Sequence, residues 1–395
     1  LKKNSSIITK VLWRHPEVAF RLARAFLRSK RAEWLDYHFG NGRTGVLPLA
    51  TFKITPLCNL RCAMCGQRGT KGTLSPEKAA KEAKHIVPIE RYKSLTDEMA
   101  KKTDIFYVWG GEPFLYPDFM DLAQYMAKKI LLSVNTNGTH LEKNAERIVR
   151  DRWHGIFISL DSFEPVNDKI RGEGSFKKVI AGIEAINREK KKQGLDQPEM
   201  GIVTTVSNMN YDHLHELAAA LADKGLSWHI INLGTYMNEE VGKEQTEFYQ
   251  KHFGITPTYW KGFTSGFNKG IDGDVFEKIL KKVHAYKNGY PVITVPVIKP
   301  KKIGDYYGDL MAKVWDHCLA PWFSVNIDYN GDVHFCADYP DWVVGNIKTQ
   351  TMEEIYNGER AVKFRRELKA APDGMFPACR RCYQMMLCGK RRKGY

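Results

Sequence analysis

Three cysteines fall within eight residues, Cys58-Asn59-Leu60-Arg61-Cys62-Ala63-Met64-Cys65, spaced x3 and then x2. They follow an extended run, Ala50-Thr51-Phe52-Lys53-Ile54-Thr55, and a Pro56 that stops it. A loop of this length can turn three thiolates toward one point. A tetrahedral zinc site wants a fourth Cys or His nearby, usually as a second pair, and none follows Cys65 at that range. Three donors leave one corner of a cubane free, so an open-cornered [4Fe-4S] cluster is the reading, with structural thiols or a zinc knuckle as the alternatives.

This spacing resembles the signature of the radical SAM superfamily, Cx3Cx2C after the first strand of a partial barrel. The resemblance implies that the open iron is chelated by the amino and carboxylate groups of S-adenosylmethionine. One electron then splits the sulfonium to methionine and a 5′-deoxyadenosyl radical. The residue before the third cysteine, often aromatic in the family, is Met64 here, which is apolar and flexible enough to fill that place.

Trp109-Gly110-Gly111-Glu112-Pro113 supplies glycines that admit close backbone approach and a carboxylate able to accept from an ammonium. It resembles the family's GGEP motif, which implies that Gly110, Gly111, Glu112 and Pro113 hold the methionine amino group. Polar residues close the next strands, and the resemblance implies Asn135, Ser159 and Asp161 for the ribose and carboxylate, with Arg171 as a carboxylate partner. It points to Thr205, Val206 and Leu233 near the adenine. Ordinary turn chemistry is the competing explanation for such residues. His213 and His215 stand two apart on an expected helix, so they face different sides and read as surface residues.

A second group, Cys318, Cys336, Cys379, Cys382 and Cys388, lies beyond a long cysteine-free gap. Asn330-Gly331 between alternating runs signals a hairpin that draws Cys318 and Cys336 together. The group resembles the SPASM/twitch extension of radical SAM enzymes, including a G-x4-C element from Gly331 to Cys336 and a closing Gly345-Asn346-Ile347. That extension implies auxiliary [4Fe-4S] clusters. The full pattern has seven cysteines; five here imply one auxiliary cluster, held best by Cys318, Cys336, Cys379 and Cys382, with Cys388 replacing one of them or staying free. A zinc ribbon is the alternative.

The elements that must position these groups are legible in the periodicity. From Leu49 strands and helices alternate through six units ending near Leu233, which implies parallel strands with right-handed crossovers. The expected fold is α/β: a partial (β/α)6 TIM-type barrel with a small C-terminal α+β auxiliary-cluster domain. Ligands in such sheets bind at the carboxyl ends of the strands, where the first cysteine loop lies. The expected segments are 1–47, basic and amphipathic; 48–237, the barrel; 238–313, a less regular connector rich in aromatics; and 314–395, the auxiliary domain. In the first, Val18, Leu22 and Phe26 recur at helical spacing while Arg21, Arg24, Arg28 and Arg31 face elsewhere. A helix docked on its barrel with arginines in water is favoured over a membrane-surface helix. The segment is too short for a peptide-recognition domain.

The 395 residues carry 60 Lys and Arg against 45 Asp and Glu, a net charge of +15. That favours acidic partners in general, but the basic residues are scattered and no nucleic-acid module is present, so no nucleic acid is expected. No apolar run reaches the ~18 residues of a membrane span, and Leu1 to Ser6 lead into no signal-like segment. A cytoplasmic protein is expected, with peripheral membrane contact open through the first helix. The expected activity is hydrogen abstraction from a substrate C–H bond, with net oxidation or bond formation assisted by the auxiliary cluster and Asp338 or Tyr107 as the base. Peptide, small-molecule and lipid substrates compete, the lack of a peptide-recognition domain tilting slightly away from ribosomal peptides; a flavodoxin or ferredoxin would supply electrons, and a non-catalytic iron–sulfur carrier or scaffold is the different class.

Overall fold

The computed structural model describes residues 15–287, 289–312 and 314–391; Leu1 to Ser6 lie outside them. Six strands run parallel and in chain order across one sheet: β1 Leu49–Lys53, β2 Ile105–Trp109, β3 Leu131–Thr136, β4 Gly155–Ser159, β5 Glu199–Thr205 and β6 Trp228–Asn232. Helices connect them, including Ile89–Met99, Phe119–Ala127, Leu141–Arg150 and Ser175–Gln193. This is the expected six-unit α/β partial barrel.

The sheet continues at both edges. β7, Val292–Val295, lies parallel to β6. β8, Trp315–Cys318, leaves the sheet and later pairs with β12, Gly389–Arg391. β9, Ser324–Asp328, returns parallel to β1, and β10, Asp332–His334, turns back on it through the Asn330-Gly331 hairpin. β11, Gly345–Asn346, closes that edge. The auxiliary segment is therefore anchored directly on the first strand of the barrel.

Alternation sorts the side chains. Phe52, Phe106, Val108, Val134, Ile156, Ile158, Met200 and Ile202 are fully buried against the helices. Their neighbours Thr51, Tyr107, Asn135, Ser159 and Thr205 are half-buried and face the lumen. Trp228 lies flat against Gly201, where a Cβ would sit 1.9 Å from its ring nitrogen, and Phe157 packs on it at 5.1 Å. These two rings fill the lower lumen and leave the polar end open.

Local signals place the helices. Ser75 accepts from the Lys78 N–H and Pro76 opens the turn, so the chain leaving the cysteine loop starts a helix at once. The connector holds more order than its sequence suggested: Glu239–Phe253 is a helix capped by Asn238. Its apolar positions are aromatic and sparse, which hid the period. The helical run Met352 to Leu368 splits at Asn357-Gly358 into Met352–Tyr356 and Glu359–Ala370.

The first helix among the described residues, α1 (Pro16–Arg31), reverses the expected orientation. Arg21 donates to the Lys129 carbonyl at 2.8 Å, and Arg24 and Arg28 both pair with the buried Asp104. Leu22 and Phe26, expected to dock, are exposed. One fully buried carboxylate at the foot of β2 outweighs apolar burial here, because an unpaired Asp104 would cost several kcal/mol.

Candidate active site

The Cys58–Cys65 loop is fixed by backbone bonds from two sides. Gly111 N–H donates to the Thr55 carbonyl at 2.8 Å and Glu112 N–H to the Leu57 carbonyl at 2.7 Å. A Cβ on Gly111 would lie 1.8 Å from the Leu57 oxygen, so only glycine lets the end of β2 lie on the chain entering Cys58. On the far side Ala63 N–H donates to the Ile170 carbonyl at 2.8 Å. The three cysteines are partly exposed, and Cys62 feels the charge of both Cys58 and Cys65. Burial pushes the Cys58 thiol up to about 11 and the Cys62 thiol up to about 12. Donors are aimed at the sulfurs: Asn137 Nδ2 at 3.9 Å from Cys58, Arg171 Nη1 at 3.9 Å from Cys62, and the Arg68 N–H at 3.4 Å from Cys65.

From this loop a chain of polar contacts crosses the strand ends. The buried Glu112 carboxylate accepts from Thr136 Oγ1 at 2.7 Å, Asn137 N–H at 2.8 Å and Phe114 N–H at 3.4 Å. Burial raises its pKa to about 7 despite those donors. A carboxylate has about four acceptor positions, so one remains for an ammonium. Asn137 also reaches Asn59 at 2.8 Å, and Asn59 reaches Thr139 at 2.9 Å. At β4 and β5 Asp161 is fully buried, pairs with Arg171 at 2.7 Å and accepts from Thr205 N–H at 2.8 Å. Asn167 and Asn210 hold the Asp161 backbone.

The structure thus draws Gly111, Glu112, Asp161, Arg171 and Thr205 into contact with the cysteine loop, while Gly110 makes a close backbone approach to Ile54 and Thr55. Pro113 is buried and opens a short turn behind Glu112. Asn135 and Ser159 face the same lumen. Val206 and Leu233 have their side chains wholly in the core; only their backbone borders the mouth, with Leu233 N–H bonded to Val295 and its carbonyl to Tyr307. His213 is no plain surface residue: its ring bonds Ser162 Oγ at 2.6 Å, beside Asp161. Asn137, Asn59 and Asn210 were missed. Asn137 stands two residues after Asn135 at the end of the same strand, and that spacing is the signal that could have found it.

The second cysteine group caps the same mouth. Cys336 feels Cys379 and Cys318, Cys382 feels Cys379 and Cys336, and Cys379 feels Cys318. Of the cysteines, Cys388 interacts with Cys318 alone, its next residue pairing with Cys318 across β12 and β8. Burial raises all five thiols, Cys318 to about 12. Among the described residues no three Cys, His, Asp or Glu side chains converge closely enough for one metal ion. Thiols in mutual electrostatic reach fit a cluster in both places.

Asp338 bridges the two halves. Its Oδ2 accepts from Thr235 Oγ1 at 3.1 Å, beyond β6, and from Tyr383 N–H at 3.3 Å, after Cys382. Burial raises its carboxyl. Tyr107 packs edge-on to Phe157 at 5.4 Å, with its hydroxyl pushed up by burial and Tyr383. Lys53 stands 3.7 Å from Asp328, which His334 approaches to 3.4 Å. Burial pushes Asp328 up, but Lys53 and His334 outweigh it and leave the carboxyl below its ordinary value.

Comparison with known proteins agrees with this layout. A model of the radical SAM superfamily matches residues 52–221, and one of an iron–sulfur cluster-binding domain, SPASM, matches residues 318–383. The chain is 23% identical to pre-heme d1 synthase of Dinoroseobacter shibae over 87% of this chain and 80% of that protein. It is 25% identical to the antilisterial bacteriocin subtilosin biosynthesis protein AlbA of Bacillus subtilis over 79% of this chain and 60% of the relative. Among solved structures, SuiB of Streptococcus suis bound to its precursor peptide SuiA shares the fold. Its TM-score is 0.59 at 13% identity, covering 88% of this chain and 72% of SuiB.

Proposed function

The chain belongs to the radical SAM superfamily and carries a C-terminal SPASM domain, and from that premise we propose that it removes hydrogen from an unreactive C–H bond of a peptide held between the barrel mouth and the auxiliary domain. Its cofactors are a [4Fe-4S] cluster, S-adenosylmethionine and an auxiliary cluster. When bound, these groups supply the electron that cleaves the sulfonium, the radical that takes the hydrogen, and the route by which an electron leaves afterwards.

The residues do the positioning. Cys58, Cys62 and Cys65 would hold the first cluster, with donors from Asn137, Arg171 and the Arg68 backbone on their sulfurs. Glu112 offers its remaining acceptor position to the methionine ammonium. Arg171 is oriented by Asp161 with its guanidinium toward Cys62, from where it would serve the cosubstrate carboxylate. Asn135, Ser159 and Thr205 line the ribose side. Trp228 and Phe157 close the lower lumen and exclude water from it. Cys318, Cys336, Cys379 and Cys382 would hold the auxiliary cluster, the set their mutual proximity supports. Asp338, between Thr235 and Tyr383, would take the substrate proton of a net oxidation, with Tyr107 as the second candidate. A flavodoxin or ferredoxin would be the electron donor.

The observation that carries this reading is the single polar network joining the first cysteine loop to the ends of β2, β3, β4 and β5. The peptide reading has separate support: one relative is named for bacteriocin biosynthesis and one fold neighbour was solved with a precursor peptide. Anaerobic incubation with dithionite and S-adenosylmethionine should release 5′-deoxyadenosine. Fully loaded protein that releases none would favour an electron carrier. A deuterated candidate peptide should pass its label into 5′-deoxyadenosine; label from a small molecule instead would reassign the substrate class.

A further inference from the structure

At the opposite end of the barrel α1 lies across the residues that lead into the strands. Arg24 and Arg28 meet Asp104, just before β2; Arg21 meets Lys129, before β3; and His15 faces Gln197, before β5. With its arginines turned inward, the helix presents its apolar residues outward. Seven of the ten large apolar side chains exposed among the described residues fall between positions 20 and 39. Phe20, Leu27 and Trp34, each more than 60% exposed, recur along one face, and Phe26 and Leu35 widen it. Isolated exposed apolar residues need no explanation, but a contiguous stripe marks a docking surface.

Charge tells what the stripe fits. Beside Leu27 a cavity of about 630 Å³ opens between α1 and the turn before β2. Of the cations that line it, Arg24 and Arg28 are held by Asp104 and Lys102 by Glu353, which leaves Arg31, 3.9 Å from Asp36, and Lys101 to face an anion, in a chain of net charge +15. Lys30 and Arg31 flank the stripe, and the Lys30 ammonium lies over the Phe26 ring at 5.7 Å. An apolar face set in a basic rim, next to a basic cavity, matches an anionic bilayer surface: acyl chains against the rings, phosphates against the cations.

We propose that the outer face of α1, continued to Phe39, seats this protein on an anionic phospholipid surface, with a lipid phosphate in the adjoining basic cavity. The mouth at the carboxyl ends of the strands then opens away from the membrane. Substrate enters from the aqueous side, and the contact holds the enzyme in place without delivering substrate.

Sedimentation of the full chain with vesicles tests this. Binding to phosphatidylcholine vesicles containing phosphatidylglycerol should exceed binding to phosphatidylcholine alone and should weaken as salt rises. The triple variant Phe20→Ser/Leu27→Ser/Trp34→Ser should bind about tenfold or more weakly. Arg31→Gln/Lys101→Gln should weaken binding roughly fivefold per charge, and only to the anionic vesicles. Both variants should release 5′-deoxyadenosine at the parent rate, which shows that they fold. No binding of the parent to anionic vesicles overturns the proposal, as does undiminished binding by the triple variant. A parent dimer that the triple variant breaks, without vesicle binding, would assign the stripe to a second copy. Loss of S-adenosylmethionine cleavage in the parent would count against the proposed activity and leave this surface untouched.

Discussion

The two cysteine groups face the same lumen from opposite sides and are built on opposite plans. Around Cys58, Cys62 and Cys65 the thiols are partly exposed, N–H donors point at the sulfurs, and a guanidinium stands beside them. Around Cys336, itself partly exposed, and the buried Cys382 the neighbours are Tyr249, Tyr339, Asp338 and Asp341, groups that are apolar in body or acidic. Exposure and donors suit a cluster that takes an exchangeable ligand and a further electron. Burial among aromatic and acidic groups disfavours added negative charge and suits a closed cluster that passes electrons on.

The strongest way to break this contrast is to remove one sulfur from each side. Cys62→Ser deletes one of only three donors and should abolish 5′-deoxyadenosine formation, by ~10³-fold or more, since an activating group is lost outright. Cys388→Ser touches a thiol whose one cysteine neighbour is Cys318, with Tyr383 also in reach. It should retain both clusters by iron content and absorbance, and retain cleavage. Loss of the auxiliary cluster in Cys388→Ser would move that residue into the ligand set and displace one of the other four.

Next in size is the Asp161–Arg171 pair. Arg171→Met leaves a fully buried carboxylate without its cation and should cost about 3–5 kcal/mol of stability, read by thermal or denaturant unfolding. Burial works to lower the Arg171 pKa, but Asp161 and Cys62 raise it overall, so the charge is secure and Arg171→Lys should restore part of the loss. If the contrast holds, the auxiliary cluster's spectrum is unchanged in both variants.

Glu112 adds a pH signature to the first site only. Its folded pKa of about 7 exceeds the ordinary 4.5 because burial dominates. The folded protein therefore binds more protons than the unfolded chain between those values. Its stabilising contribution is complete below about 4.5, falls as pH rises, and is gone above about 7. Without S-adenosylmethionine, unfolding free energy should drop by about 3 kcal/mol across that window relative to Glu112→Gln. Affinity for the cosubstrate should rise over the same range, because its ammonium seeks the charged carboxylate. A parent and variant with parallel pH profiles would remove Glu112 from that role.

Much of this was readable beforehand because it is written in short-range patterns. Cx3Cx2C, Gly-Gly-Glu-Pro and strand-helix alternation each act within a few residues, so the barrel and the first site followed. Four features depended on distant partners. The arginines of α1 face inward because of Asp104, some eighty positions on. β7 joins the sheet because β6 offers a parallel edge, which no local signal announces. Asp161 works through Arg171 and Thr205 in place of facing a ligand alone, and strand-end polarity cannot distinguish the two. The Asn330-Gly331 hairpin was legible, but its docking through β9 onto β1 was not.

The finest test of the contrast uses Asn137, whose amide donates to Asn59 Oδ1 at 2.8 Å and approaches Cys58 Sγ at 3.9 Å. Its backbone N–H, not its side chain, holds Glu112, so Asn137→Ala spares that carboxylate. The variant loses the bond to Asn59, the two that Oδ1 accepts from the Thr139 N–H at 3.0 Å and hydroxyl at 2.7 Å, and one donor on a cluster sulfur, the last worth about 1 kcal/mol. Cleavage should slow by about fivefold, the rate equivalent of that energy, and the first cluster should become harder to reduce, because its added charge is less stabilised. The auxiliary cluster, reached by no bond from this residue, should keep its midpoint. A shift of both midpoints together would mean that the two groups are electrostatically one site, and the division drawn between them would fail.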